Sequence, residues 1–169
     1  IVMSNDVFIA GVKEKYPSEL LEGRLNIEAN VIGCMVSDML LAEDTNIDSS
    51  KFLTKDARLI FSVIKLLRQK KCAVFDEVSV LTYAKEDIRE KLDLIGGVNA
   101  VKNIASCVNI KNYDSYLDDL LKSNIILDMH TFGFNLLSPI EYEGKTIKPL
   151  KLFAKMSSDE LTDWYCAKL

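Results

Sequence analysis

The 169-residue sequence has few of the residues that interrupt or cross-link a fold. It contains only 3 Pro, 7 Gly, 1 His and 1 Trp, which excludes collagen-like chains and the disordered chains that are rich in Pro and Gly. Its longest apolar runs are too short to cross a bilayer, and we recognise no secretory leader. Because 49% of the residues are hydrophobic, the chain can form a hydrophobic core that does not need disulfide bonds for stability.

The 4 cysteines are too far apart in the sequence for a Cys-x-x-Cys zinc or redox motif. They are Cys34, Cys72, Cys107 and Cys166. We predict reduced thiols in a cytoplasmic protein, because a disulfide framework is unusual in a chain with this much core material. The formal net charge of −4 argues against a basic surface that grips a nucleic-acid backbone. We therefore expect little direct nucleic-acid binding and no membrane association.

Apolar residues recur at helical spacing along most of the chain and predict an all-α fold. The predicted head is a compact bundle of about five to six short helices. Its clearest segments are 27–42, 55–69, 76–84, 86–94 and 98–108. Thr54 and Asp76 are predicted N-caps, and Gly96-Gly97 is predicted to end a helix. A strand over 72–80 is the alternative there, because short apolar runs fit either structure.

A long helix is predicted over 112–137, with a length of about 37 Å at 1.5 Å per residue. Pro and Gly residues make the stretch 138–156 irregular. Ser157 and Glu160 then form a capping box, which opens a last helix able to fold back on the long one. The predicted parts are an N-terminal extension (1–25), a helical head (26–111) and a helical hairpin or arm (112–169).

Apolar side chains cover most of the circumference of the long helix between Leu120 and Leu137. Packing on one core needs only a stripe, and a protruding helix with several apolar faces would expose a patch that monomers avoid. We predict that the surplus faces contact the last helix and a second subunit; a fully buried central helix is the alternative. The candidate contact residues are Leu121, Ile125, Met129, Phe132, Phe134, Leu136, Trp164 and Tyr165.

No residue pattern in the sequence predicts catalysis. The stretch 143–146 reads Glu-Gly-Lys-Thr, like the end of a phosphate loop, but Pro139 stands where that motif needs another Gly. His130 is the only His, so no Ser-His-Asp or Cys-His arrangement can be argued. The carboxylates of Asp118 and Asp119 are predicted to lie on a solvated helix face. We predict no catalytic residues, no cofactor and no metal site in this chain.

Six short motifs, in order and at near-family spacing, resemble the N-terminal domain of the DnaB-like replicative hexameric DNA helicases of bacteria and phages. They are Glu28 with Val31-Ile32-Gly33 and Asp38; Phe52 with Arg58, Ile60 and Phe61; Val74 with Asp76 and Val78-Ser79-Val80; Gly96-Gly97; Asn112 with Tyr116; and Gly133. The sequence departs from the family at Ala29, Ala57 and Lys71, where the family has Gln, His and Gly.

The resemblance implies a non-catalytic collar domain, in which hairpins pair subunits into dimers and three dimers assemble above an ATPase ring. It implies a primase and, in some systems, a helicase loader as partners. ATP and Mg²⁺ would bind only in a C-terminal RecA-like domain, expected after residue 169. Two alternatives stay open: the helicase-binding C-terminal domain of a bacterial primase, and a small helical enzyme that uses His130 with Asp118 and Asp119.

Overall fold

The computed structural model describes residues 7–44 and 46–169, and helices dominate this part of the chain. The α-helices are α1 (Val12–Lys15), α2 (Ser18–Leu21), α3 (Arg24–Ser37), α4 (Lys55–Gln69), α5 (Glu77–Tyr83), α6 (Glu86–Leu94), α7 (Gly97–Ser106), α8 (Tyr113–Thr131), α9 (Pro149–Phe153) and α10 (Ser158–Lys168). Short 3-10 turns lie at Met39–Glu43, Ser49–Lys51 and Ile110–Asn112. The all-α prediction is confirmed. The first six residues of the predicted N-terminal extension lie outside the described residues.

Two predictions of local structure need correction. The alternative strand over 72–80 is wrong, because Asp76 caps a helix there instead. The irregular stretch 138–156 contains a small antiparallel hairpin, formed by β1 (Ile140–Tyr142) and β2 (Lys145–Ile147), and also contains α9. Its turn residues Glu143 and Gly144 both have positive φ, and this backbone conformation closes a two-residue hairpin. The sequence lacks the Asn-Gly or Asp-Gly pair that signals such turns most clearly.

The predicted helix starts are confirmed by side-chain hydrogen bonds. The Thr54 hydroxyl accepts from the Ala57 N–H at 3.3 Å, and the Asp76 carboxylate accepts from the Ser79 N–H at 2.8 Å. Ser157 and Glu160 form both bonds of the capping box. These bonds satisfy amide groups that a helix leaves without a partner in its first turn, so they fix where α4, α5 and α10 begin.

Helix α3 lies at the centre of the first hydrophobic core, most of which belongs to the predicted head. Val31, Cys34 and Met35 on this helix are completely buried, and α3 contacts α4, α7 and α8. A Cβ atom added to Gly33 would lie 2.9 Å from Val108 Cγ2 and 3.1 Å from the Ile104 carbonyl oxygen. Glycine at this position therefore allows α3 and α7 to pack closely.

A second hydrophobic core lies beside the first, and α8 belongs to both. Leu120 in the first half of α8 packs in the first core, whereas Leu127 and Met129 pack in the second. The second core also contains residues from α1, α2, α9 and α10. Helix α8 carries apolar residues on most of its circumference because its two halves are covered by different parts of the same chain. The N-terminal segment from residue 7 onward contributes to this second core.

Helix α8 is shorter than predicted and ends in a glycine cap. It has 19 residues, which gives a length of about 28 Å. Gly133 has a φ of 87°; its N–H donates to the His130 carbonyl and the Phe134 N–H to the Met129 carbonyl, both at 3.0 Å. This is the Schellman arrangement that ends a helix, so residues 132–137 are not part of the helix.

Helix α10 packs against α8, as predicted, but the two helices do not form the predicted helical hairpin. Ser158, at the start of α10, bonds to Asp118 in the first half of α8, while Trp164 contacts Phe134, just beyond the end of α8. These contacts give the two helices the same general direction. The connection over 138–156 therefore carries the chain back along α8 before α10 begins.

Candidate interaction surfaces

The eight predicted contact residues differ in how far the chain itself covers them. Met129 and Leu136 are buried in the second core, so in this structure they offer no surface to another subunit. Phe132 is 77% exposed, because it follows the last turn of α8 and projects beyond both cores. The remaining five are partly buried. These are Leu121, Ile125, Phe134, Trp164 and Tyr165.

Three of the partly buried residues form an aromatic cluster between the end of α8 and α10. The Phe134 ring meets the rings of Trp164 and Tyr165 edge-on, at centroid distances of 5.7 and 5.9 Å. Trp164 also contacts Phe153 of α9 at 5.1 Å. Such edge-to-face pairs stabilise a fold beyond the area they bury. The cluster therefore holds α9 and α10 onto α8.

Exposed apolar surface remains in the segment that follows α8. This segment contains Phe132 and also Leu137, which is 49% exposed. Most of the surplus apolar surface predicted for 112–137 is thus covered by the chain itself. The reason is that the N-terminal segment and the 138–169 segment both pack on the second half of α8. Within the predicted arm, the apolar surface available for a partner is therefore small, and we define the arm end as Phe132 and Leu137.

A buried ion pair connects the head to α8. Arg24 and Glu28, one turn apart on α3, are 0% and 1% exposed, and their side chains form a 2.5 Å salt bridge. The Arg24 guanidinium also donates to the Ser123 hydroxyl on α8 and to the Lys51 carbonyl, both at 2.8 Å. Burial lowers the pKa of Arg24, and Glu28 acts in the opposite direction. This contact fixes α8 against α3 from inside the fold.

The Glu28 carboxylate satisfies the backbone at the start of α4. It accepts from the N–H groups of Leu53 and Thr54 at 2.7 and 3.0 Å, and from the Thr54 hydroxyl at 2.7 Å. The sequence analysis placed Glu28 in a family motif but missed Arg24. An Arg and a Glu four residues apart on an apolar helix were the available signal.

The two acidic residues predicted to be solvated differ from each other. Asp118 is partly buried and accepts hydrogen bonds from the Ser158 N–H at 3.1 Å and from its hydroxyl at 2.5 Å, so the prediction is wrong for this residue. Asp119 is exposed, although the desolvation of its carboxyl raises its pKa. Because Asp118 lies within reach of the first turn of α10, it caps that helix from α8.

The residues of the enzyme alternative are not brought together. His130 is partly buried against the Tyr16 ring, at a centroid distance of 6.0 Å. Asp118 lies on the same helix, about 18 Å away along the axis at 1.5 Å per residue. An acid–base pair has to reach a common substrate atom, and this separation prevents it. The phosphate-loop reading is equally unsupported, because Gly144 and Lys145 belong to the β-hairpin and no helix begins at Thr146.

An apolar groove runs between α4 and α6. Its floor is formed by Ile9, Leu59, Ile88 and Ile95, and Leu94 stands at its edge. The basic residues Lys55, Arg58 and Lys91 line the same groove, together with a single acidic residue, Asp56. The Arg58 Nε donates to the Phe52 carbonyl at 2.7 Å, which holds this guanidinium in place. We call this surface the α4–α6 groove.

Within 7–44 and 46–169, no group of His, Cys, Asp and Glu residues could hold a metal ion. The helices of the same described residues are all too short or too polar to cross a membrane.

Comparison with known proteins identifies the family. No curated protein and no solved structure has significant similarity to the chain. Residues 21–122 match the family model described as DnaB-like helicase N terminal domain. The match spans more than half of the chain, from α2 into α8, and includes the buried Arg24–Glu28 pair and the close packing at Gly33. The chain therefore belongs to the family of DnaB-like helicase N-terminal domains, the non-catalytic N-terminal domains of replicative helicases.

Proposed function

We propose that this chain is the collar portion of a cytoplasmic replicative DNA helicase, where it joins subunits and recruits a primase or a helicase loader. The observation that carries the proposal is the family match over residues 21–122. The acidic net charge of −4 fits a domain whose partners are proteins, because a nucleic-acid grip needs a basic surface.

Subunit contact is assigned to the arm end. Phe132 is the most exposed of the eight candidate residues, and it lies two residues before Phe134, which packs on Trp164 and Tyr165. Large aromatic residues beside a packed base are typical of residues that dominate protein interfaces. Leu121 and Ile125 are partly buried and pack against the first and the second core, respectively, so the proposal gives them only a minor part of the contact. Met129 and Leu136 are buried in the second core, so they would act only by stabilising the fold beneath the contact.

The oligomeric state tests this assignment. We expect the chain to form dimers or larger assemblies at micromolar concentration, and Phe132→Asp to shift the mass toward the monomer, because a charge in an apolar contact is desolvated without a partner. Light scattering after size-exclusion chromatography, at several concentrations, measures the mass. Leu40→Asp is the matched control, since Leu40 is also well exposed but lies on the head. An unchanged mass of the Phe132 variant would contradict the assignment.

The nature of the whole protein has a separate test. If the chain belongs to a helicase, the gene continues after residue 169 into an ATPase domain with a complete phosphate loop, and ATP and Mg²⁺ bind there. A primase catalytic domain upstream would instead support the primase alternative. Pull-down of the cognate primase by the purified chain tests recruitment directly.

A further inference from the structure

The α4–α6 groove is a second surface that the protein leaves open, on the head and away from the arm end. It encloses a volume of about 540 Å³. Leu94, the last residue of α6, lies at its edge and is 86% exposed. A large apolar side chain at the edge of an apolar groove is typical of a binding surface rather than of solvated protein.

The charge of the groove is opposite to that of the protein. Lys55, Arg58 and Lys91 line it with one acidic residue, whereas the whole chain has a net charge of −4. Arg58 is held by its bond to the Phe52 carbonyl, so at least one of the cations is positioned before any partner arrives. Charges arranged in this way select a partner of the opposite sign and speed its approach.

The N-terminal segment completes the groove. The Ile9 N–H donates to the Leu53 carbonyl at 2.8 Å, and the Lys55 N–H donates to the Val7 carbonyl at 2.9 Å. These bonds attach residues 7–9 to the start of α4 and place Ile9 in the groove floor. Ile9 lies outside the family match, which begins at residue 21. The surface is therefore built partly by a segment that this chain adds to the family domain.

We propose that the α4–α6 groove binds an amphipathic helix of a partner protein, whose apolar face is flanked by acidic residues. A helix laid in a groove places its apolar residues at spacings of three and four on the floor, and its flanking carboxylates then face Lys55, Arg58 and Lys91. A nucleic-acid strand fits less well, because its phosphates would leave the apolar floor uncovered. The inference rests on the proposed recruitment role and adds the chemistry of the recruited segment.

Two designed peptides test the inference with the complete chain. Both are helical peptides of about 18 residues with the same leucine face, flanked by Glu in one and by Lys in the other. Fluorescence anisotropy of labelled peptide measures the affinity. We expect the Glu peptide to bind at least about tenfold more tightly, because its carboxylates pair with Lys55, Arg58 and Lys91, which repel the ammonium groups of the Lys peptide. Raising the salt concentration from about 0.05 to about 0.3 M should reduce this preference.

Matched variants locate the binding. Lys55→Glu with Lys91→Glu should reverse the preference, whereas Lys102→Glu with Lys111→Glu changes the net charge equally on exposed residues outside the groove and should preserve it. Leu94→Ser should weaken binding of the Glu peptide by about tenfold, and Leu40→Ser should not. All six residues are exposed, so the variants should unfold at the same denaturant concentration as the parent chain.

Equal affinity for the two peptides, or full binding by the Leu94 variant, would overturn the inference. If the groove variants change the mass of the protein and leave peptide binding intact, the occupant is a second copy and the inference is also overturned. Phe132→Asp separates this result from the subunit contact. If that variant lowers the mass and still binds the Glu peptide, the groove acts independently of assembly.

Discussion

At the residue scale, Arg24 and Glu28 form an ion pair that is almost completely buried. Both charges are removed from water, and such burial is tolerated only when nearly every polar atom has a partner. Glu28 accepts four hydrogen bonds, from Arg24, Leu53 and twice from Thr54. Arg24 uses three of its nitrogens in three directions. The pair therefore serves to fix the positions of α3, α4 and α8 rather than to add much net stability.

Removing one partner should be far more harmful than the pair is beneficial. Glu28→Ala leaves the Arg24 charge buried without a counterion, so we expect the free energy of unfolding to fall by about 3–5 kcal/mol. Urea denaturation followed by circular dichroism measures this. Glu43→Ala breaks the surface bridge to Arg68, whose bond is 2.8 Å long, and should cost less than about 1 kcal/mol. Similar losses in the two variants would contradict the role given to Glu28.

The Tyr113 hydroxyl is the opposite case, a buried polar group with no hydrogen-bond partner among the described residues. Burial, followed by the nearby Asp44, raises the pKa of Tyr113 to about 12. We expect Tyr113→Phe to be neutral or to stabilise the protein by about 1 kcal/mol, because an unpaired buried hydroxyl is unfavourable. Thermal unfolding at neutral pH measures the effect.

The same pKa shift predicts how stability depends on pH. The folded state holds the Tyr113 proton more tightly than the unfolded state, so its contribution is complete below pH 10 and is lost as the pH rises from 10 towards about 12. The Phe variant should lack this part of the decline. If both proteins lose stability equally between these pH values, Tyr113 does not titrate as described.

At the element scale, Gly33 shows how one missing side chain sets the distance between two helices. Gly33→Ala would place a methyl group against Val108 and the Ile104 carbonyl. Alanine favours helices over glycine by about 1 kcal/mol, but overpacking costs about 1–3 kcal/mol. We therefore expect Gly33→Ala to lower the free energy of unfolding, and Gly33→Val to lower it further. Urea denaturation of both variants measures this order. A stabilised Gly33→Ala protein would mean that α3 and α7 can separate without loss.

Local features of the elements could be predicted from the sequence. Thr54, Asp76 and Ser157 cap their helices because a cap involves residues only a few positions apart. The helical spacing of apolar residues predicted the ends of α4, α6 and α7 to within two residues. The end of α8 was predicted too late, because Gly133 was treated as an internal residue and Pro139 as the terminator.

Contacts between distant residues could not be predicted in the same way. The bond of Arg24 to Ser123 and that of Asp118 to Ser158 join positions whose proximity depends on the whole fold. The sequence correctly predicted that α8 carries apolar residues on most of its circumference, but it did not predict which segments cover them. A sequence pattern shows that a face needs cover and does not show which segment provides it, so a second subunit was assigned surfaces that the chain itself covers.

At the scale of the whole molecule, the family boundaries and the packing boundaries differ. The family match ends at residue 122, in the middle of α8, whereas the second core includes residues on both sides of the match. A fragment limited to residues 21–122 would lack α1, all of α2 except Leu21, and Ser158, the partner of Asp118. We expect it to unfold at a lower urea concentration than the 169-residue chain and to bind a hydrophobic dye. Equal unfolding midpoints would show that the first core is self-sufficient.

Sharing one helix between two cores has a calorimetric consequence. Each core covers one half of α8, so unfolding of either core would leave half of this helix exposed. We therefore expect both cores to unfold together. Heating should produce a single calorimetric peak whose van't Hoff and calorimetric enthalpies agree. Any force that a bound neighbour applies to the far end of α8 is likewise transmitted through a continuous stiff rod into the centre of the head.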